Sequence, residues 1–442
     1  MEKNCSEFHR HSSIKPENLR RMGSNMQKLK SIYFKIALCI ILILSMLSCG
    51  PGKDATVEIE FWHSMQGPLL ASLQKLVRNF EHQNPNIKVN LKYQGNYTQL
   101  LQKLESQIAT GEPPNISQAF GAWTDKFIND GLIIPLNGEL EGAEKNFYEI
   151  FYRNNLFQDD KIYSVPFNKS APILFYNKDH FSEAGLDPDK APETWVEFRE
   201  YCAKINDSLN KGKSPKDRIY PLSFSPSIWF ITSHYIQNGG VFYDKSSDII
   251  LPDKEILKDS INYFCSLQKD NLLELTKERS YQDNFKVGKT TFIFASCVSL
   301  TFLKDEIDFN LGYAPLPRGK NKGSILSGTN LVVFKNSSKN EVRASIKLIN
   351  FLLQDENIAV WIKETNYLPV KKNVIHLPVI QEHIREKPGF ALIYEEIDFL
   401  QDEPKEEKWV NGRKILRTQI EKIFFLDAPV DSAVEEFYKE VR

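Results

Sequence analysis

The sequence predicts an α/β protein of two lobes, each an open, mainly parallel sheet covered by helices. Three observations predict it. Strand and helix patterns alternate from Val57 to about Asn137, the order that builds a parallel sheet with helices on both faces. Two proline-bearing extended runs, near Pro166–Pro172 and Tyr313–Pro317, suit strands that pass from one lobe to the other. The length beyond residue 48 is long for one domain and comfortable for two.

The chain begins with a leader. Between Lys35 and Cys49 lie thirteen uncharged residues, Ile36–Ser48. A membrane span needs about 20 apolar residues, whereas about 7–15 is usual in a signal peptide. Lys28, Lys30 and Lys35 supply the basic region before it, and "GPGKDAT" after Cys49 cannot continue a helix. "LSC" at Leu47–Cys49 resembles the lipobox of bacterial lipoproteins, in which the cysteine thiol carries diacylglycerol. Residues 1–48 are therefore expected to be a signal peptide, with Met22 and Met26 as alternative starts. Residues 49–55 are expected to form a tether lipidated at Cys49. A plain cleaved signal and a short uncleaved anchor are the alternatives.

Each later element has its own signal. "VEIEFWHS" alternates as a strand. Pro68 then opens a helix with Leu69, Leu73, Leu76, Val77 and Phe80 on one face. Ile87, Val89 and Leu91 mark a second strand. "YTQLLQKLESQIATG" reads as a helix stopped by Gly111, burying Leu100, Leu101, Leu104 and Ile108. "NISQAF" is a third strand and "WTDKFIND" a third helix. "PILFYN" is β-rich, and helical patterns follow from Trp195 to Lys204 and from Lys254 to Leu273. Thr290–Ala295 reads as a buried strand running into a helix at Ser296. "NLVVFKN" is a strand, "EVRASIKLINFLLQDENIAVWIKET" one long amphipathic helix, and the tail from His376 is helical. In open sheets of this kind a ligand binds beyond the carboxyl ends of the strands.

Composition excludes several classes. The 56 basic and 57 acidic side chains balance, so no polyanionic partner is implied and no nucleic-acid role is expected. Beyond Cys49 only Cys202, Cys265 and Cys297 remain, too few and too widely spaced for a disulfide framework or a metal site. They suit small buried hydrophobes, and one pair could bridge. The eight histidines are scattered, His63, His180 and His234 among them. No G-x-S-x-G, H-E-x-x-H or phosphate-loop motif occurs. The expectation is no enzyme, no cofactor and no metal.

"EFWHSMQGPL", "YQGNYTQ", "SVPFNKSAPILFYNKDHFSEAGLDPDKAPETW", "FASCVSL", "GYAPLP", "SGTNLVVF" and "FLLQDENIAVWIKETNYLPV" occur in that order. Together they resemble the extracellular solute-binding proteins of ABC importers, in the carbohydrate group. "FWHSMQG" and "QGNY" are most similar to its glycerol-3-phosphate-binding branch. The resemblance implies a two-lobed periplasmic-binding-protein-like fold of type II, with ligand in the cleft between lobes. It places residues 56–168 and 313–365 in the first lobe, and 169–312 and 366–442 in the second. It implies a monomer at the periplasm or cell surface that closes on a small solute and docks on permease subunits.

The resemblance also nominates ligand contacts: Tyr97, Ser170, Ser296, Gly328, Tyr367 and Arg413. The guanidinium fork of Arg413 suits a phosphate, with Arg417 as competitor one turn on. Trp229 is added as a stacking platform for a sugar face, with Trp62 and Trp195 as core or cleft-wall aromatics. One departure stands out. The glycerol-3-phosphate branch has a glutamate on its third strand, where this chain has Gly121, with Asp125 one helical turn later. The space this leaves implies a bulkier phosphodiester, sugar phosphate or oligosaccharide. The rivals are a secreted glycan- or phosphodiester-cleaving enzyme, and a surface sensor or adhesin on the same fold.

Overall fold

The structure, a computed structural model, describes residues 35–36, 56–157, 160–244 and 246–441. The lipidation site and nearly all of the leader lie outside the described residues. From Val57 onward the chain forms one unit built on two five-stranded sheets. Its strands are β1 (Val57–His63), β2 (Ile87–Tyr93), β3 (Ile116–Ala119), β4 (Val165–Ser170), β5 (Pro172–Asn177), β6 (Tyr220–Phe224), β7 (Tyr243–Asp244), β8 (Ile249–Ile250), β9 (Leu273–Leu275), β10 (Thr290–Ser296), β11 (Leu311–Pro315) and β12 (Ser327–Val333).

The first sheet has the order β2-β1-β3-β12-β4, the second β11-β5-β10-β6-β9. The strand–helix alternation yields the parallel pairs β1–β2, β1–β3, β6–β10 and β6–β9. The strands at the crossings, β5 and β12, pair antiparallel with their neighbours. β4 belongs to the first sheet and β5 to the second, so the chain crosses at Ala171, inside the proline-bearing run. It returns between Pro315 and Ser327. The run at Tyr313 thus begins as a strand of the second sheet, registered on Phe175, and the crossing follows it.

The helices form for the expected reasons. Pro68 sits in the first turn of Gly67–Gln83, which buries Leu69, Leu73, Leu76, Val77 and Phe80. Tyr97–Thr110 is opened by a reciprocal Asn96–Gln99 capping box and closed by Gly111 at φ 80°. Truncating a fully buried ring such as Phe61 or Phe80 would cost about 3–5 kcal/mol.

Two helical expectations are revised. The long amphipathic helix is broken into Lys339–Leu352 and Asp355–Thr365 by Gln354, which is extended at φ −64° and ψ 142°. The break is stabilised from outside: buried Lys371 donates to the Leu353 carbonyl at 3.2 Å and pairs with Asp355. The tail after His376 holds Pro378–Glu386, Gly389–Glu395, Glu407–Leu426 and Val430–Val441, with an irregular stretch at 400–406. Helix Glu407–Leu426 contributes Trp409, Leu416, Ile420 and Phe424 to the core under the second sheet.

Cys202 and Cys297 are buried, Cys265 is half-buried, and all three are free thiols. Among the described residues no helix is long and apolar enough to cross a membrane.

Candidate functional site

The strand ends of the first sheet face one side of helix Glu407–Leu426 across a cleft of about 630 Å³. On the sheet side stand Tyr97 and Leu101 of the capped helix, Phe120–Trp123 after β3, Lys169 on β4 and Gly328 on β12. On the helix side stand Trp409, Val410, Arg413, Lys414 and Arg417. Trp409, Arg413 and Arg417 are spaced four apart and so share one helix face. The irregular stretch at 400–406 forms a third wall with Asp402, Glu403 and Pro404. Four cationic side chains thus line the cleft against two carboxylates.

Aromatic rings make a shelf. Phe120 packs edge-on against Tyr97 and Trp123, both at 5.0 Å between ring centres. The ring planes meet at 70° and 83°, so the three rings offer apolar edges and faces to a solute rather than one flat platform.

Arg413 stands opposite. One of its terminal nitrogens lies 3.5 Å from Glu403, which also accepts from the Trp409 indole at 3.2 Å. The Nε of Arg413 is buried and has no hydrogen-bond partner among the described residues. The side chain as a whole is 41% exposed, so its guanidinium is open to an oxygen entering the cleft.

A buried polar cluster lies on the sheet side. Lys169 is 2% exposed and donates to Asn154 Oδ1 at 2.9 Å. Asn154 turns its Nδ2 to Asp402 at 3.0 Å, so its amide bridges the two charges. Burial lowers the Lys169 ammonium to about 7, against the pull of Asp402. Burial likewise raises Asp402 to about 6, against Lys169 and Lys405. Lys405 donates to the carbonyls of Arg153 and Leu156 and sits over the Phe157 ring at 4.3 Å.

Tyr97 and Tyr367, far apart in sequence, meet on one residue. Asn168 Nδ2 donates to the Tyr97 hydroxyl at 2.8 Å and to the Tyr367 hydroxyl at 3.3 Å. Its Oδ1 accepts from Gln118 at 3.2 Å and from Thr329. Tyr97 reaches the cleft. Tyr367 lies behind it, stacked on Trp361 with ring planes 6° apart and its hydroxyl near Met65.

The other nominated residues sit as follows. Gly328 lines the cleft at φ 99°, and a Cβ there would lie 1.8 Å from the Asn168 carbonyl oxygen. The glycine is required by the approach of β12 to β4. Gly121 also faces the cleft, and a Cβ there would meet only Lys405 at 3.4 Å and Asn154 at 3.9 Å. Asp125 accepts from Asn129 on its own helix and does not reach the lining.

Ser170 is buried at the end of β4, opposite Ser327, and Ser296 ends β10; neither lines the cleft. Ser296 caps the short turn Cys297–Ser299, its Oγ accepting from Val298 at 3.4 Å. Trp229 gives its indole N–H to the Ile325 carbonyl at 3.1 Å and stacks on Phe230, outside the cleft. Trp62 and Trp195 donate to Glu60 and Gln237 and belong to the core. Among the described residues no cluster of three or more His, Cys, Asp or Glu could hold a metal ion.

Asn168, Lys169, Asn154 and Asp402 escape sequence reasoning. The one available signal is "FNKS", a polar interruption inside an otherwise apolar crossing run.

Residues 75–387 match the family model described as bacterial extracellular solute-binding protein. The sn-glycerol-3-phosphate-binding periplasmic protein UgpB of Shigella dysenteriae serotype 1 is 28% identical over 354 residues, 76% of this chain and 79% of that protein. The protein of the same name in Escherichia coli K12 is 28% identical over 352 residues, again 76% and 79%. Among solved structures, Mycobacterium tuberculosis UgpB in complex with glycerophosphocholine superposes with a TM-score of 0.77 at 21% identity, covering 87% of this chain and 97% of that one. The GacH receptor of Streptomyces glaucescens, solved unliganded and with acarbose, gives 0.76 at 18% identity, covering 88% and 98%. These likenesses establish the two-lobed type II fold.

Proposed function

The chain belongs to the bacterial extracellular solute-binding proteins, and on that premise we propose that it captures a phosphate-bearing solute of glycerophosphodiester or sugar-phosphate type for an ABC importer. The observation that carries this reading is the Arg413 guanidinium, whose side chain lines the cleft, is 41% exposed and meets Glu403 only at 3.5 Å. It is backed by Lys414 and Arg417 and faces an aromatic shelf. The exposed part of the guanidinium fork suits two phosphate oxygens, and the aromatic rings take the organic part. The relatives whose names carry glycerol 3-phosphate and glycerophosphocholine point to the same class. Room at Gly121 favours a ligand larger than glycerol 3-phosphate.

Tyr97, Gly328 and Arg413 are the nominated residues that line the cleft, and we assign them to direct contact. Tyr367 holds Tyr97 in place through Asn168. Cys49 is proposed as a lipid anchor that keeps the receptor at the membrane beside its permease. A second reading, a neutral oligosaccharide, rests on the Tyr97–Phe120–Trp123 shelf alone.

A thermal-shift panel tests the choice. A ligand at 100 times its dissociation constant adds about 2.7 kcal/mol. Glycerophosphodiesters or sugar phosphates should stabilise the protein, and Arg413→Ala should abolish that shift while sparing any neutral sugar. Equal stabilisation of both proteins by a phosphate would refute the anion site.

A further inference from the structure

We propose, building on the reading of the cleft as a phosphate receptor, that Lys169 is a second direct contact to the solute's phosphate, acting from the side opposite Arg413. An ammonium has three N–H donors. Among the described residues, Lys169 has one acceptor within hydrogen-bond distance, Asn154 Oδ1 at 2.9 Å. That oxygen is shared with Asn330 Nδ2 at 3.3 Å. Lys169 is 2% exposed, and among the described residues its nearest carboxylate, Asp402, is met through Asn154 rather than directly. Its side chain lines the cleft, so the space beyond its two unused donors is where solute enters.

The rest of the cluster is arranged to hold Lys169 without quenching it. Asp402 reaches Lys169 only through the Asn154 amide, whose Nδ2 it accepts at 3.0 Å. The next residue, Glu403, pairs with Arg413. Adjacent residues are about 3.8 Å apart along the chain, so Asp402 and Glu403 brace two cations at one place in the cleft. A phosphate bracketed by a lysine and an arginine on opposite walls touches both lobes. That also gives the anion a larger stake in closure than either cation alone.

The charged groups facing Lys169 are Asp402 and Lys405 of the irregular wall, with Arg413 and Arg417 across the cleft. Burial lowers the Lys169 ammonium, so part of the amine is already neutral at pH 8 before ligand arrives. An anion favours the ammonium, so binding should take up a proton from buffer.

The experiment is calorimetric titration of the purified chain with glycerophosphocholine and with sn-glycerol 3-phosphate. It is run at pH 8 in buffers of different ionisation heat, on wild type, Lys169→Gln, Lys169→Met and Arg413→Ala. The expected result is about 10- to 100-fold weaker binding of a phosphate probe by both Lys169 variants, the loss of one charged hydrogen bond. Proton uptake should be present in wild type and absent from both. Unaltered affinity and proton count in the Lys169 variants, with Arg413→Ala impaired, overturns this proposal alone. No binding of either phosphate probe by wild type overturns it together with the reading of the cleft. Loss of the melting transition in both Lys169 variants makes Lys169 structural and likewise overturns it.

Discussion

At the residue scale, Gly328 and Gly121 carry opposite lessons. Gly328 is locked: φ 99° is left-handed backbone, and any Cβ would collide with the Asn168 carbonyl. Gly328→Ala should therefore destabilise the protein by about 2–4 kcal/mol, combining strain with a displaced β4. Denaturant unfolding checks this; a change under about 0.5 kcal/mol would mean that β12 can move away from β4 at little cost. Gly121 is free, and its openness matters for ligand size. The nominated residues were legible to different degrees for physical reasons. Tyr97, like Arg413, is nominated by the resemblance, and it sits at the capped start of its helix. Asn168 and Lys169 do not stand out, because all six residues of β4 are buried and alternation vanishes in such a strand. Arg413 was found by likeness. Its meaning depends on Glu403, in a wall with no periodic pattern.

At the scale of elements, apolar spacing locates structure wherever burial is one-sided. Helix Gly67–Gln83 and the run from β1 to β3 follow apolar spacing and their caps, which are local physics. It fails at the break between Leu352 and Asp355. Apolar spacing continues through that point, and the break is held by Lys371, a distant residue that meets Leu353 and Asp355. Replacing Lys371 by Met should leave that carbonyl and the Asp355 carboxylate without their buried donor. The expected cost is about 2 kcal/mol or more in denaturant unfolding, with helix content by circular dichroism preserved. An unchanged midpoint would show that the helix break is written locally after all. The return crossing was misplaced by a few residues for a related reason. "GYAPLP" is extended throughout, and only pairing with β5 reveals that its first half belongs to the second sheet.

At the scale of the whole molecule, acid is the natural stress. Burial lowers His63, His180 and His383 to about 4 and His234 to about 3. Unfolded, each imidazole takes its proton near 6.5, so the unfolded chain binds more protons between that value and about 4. Stability contributed by these groups is present above pH 6.5 and is lost as pH falls through that window. Each proton is worth about 1.4 kcal/mol per pH unit. Asp402, raised to about 6, works in the opposite direction below that pH, but four imidazoles outweigh one carboxyl. The melting temperature should fall steadily from pH 6.5 to 4.5. The fall should be shallower in His234→Phe, which keeps a ring against Trp195 and Tyr263. A flat profile would contradict the burial of these rings.

The proposed function also lives at this scale, because a solute bound by both walls of the cleft would hold the two lobes together. Small-angle X-ray scattering of the purified chain, with and without saturating glycerophosphocholine, is the most direct test. The account predicts a smaller radius of gyration with ligand, at constant mass and with the phosphodiester recovered intact. Superimposable curves for every phosphate-bearing solute tried, or cleavage of one of them, would contradict it.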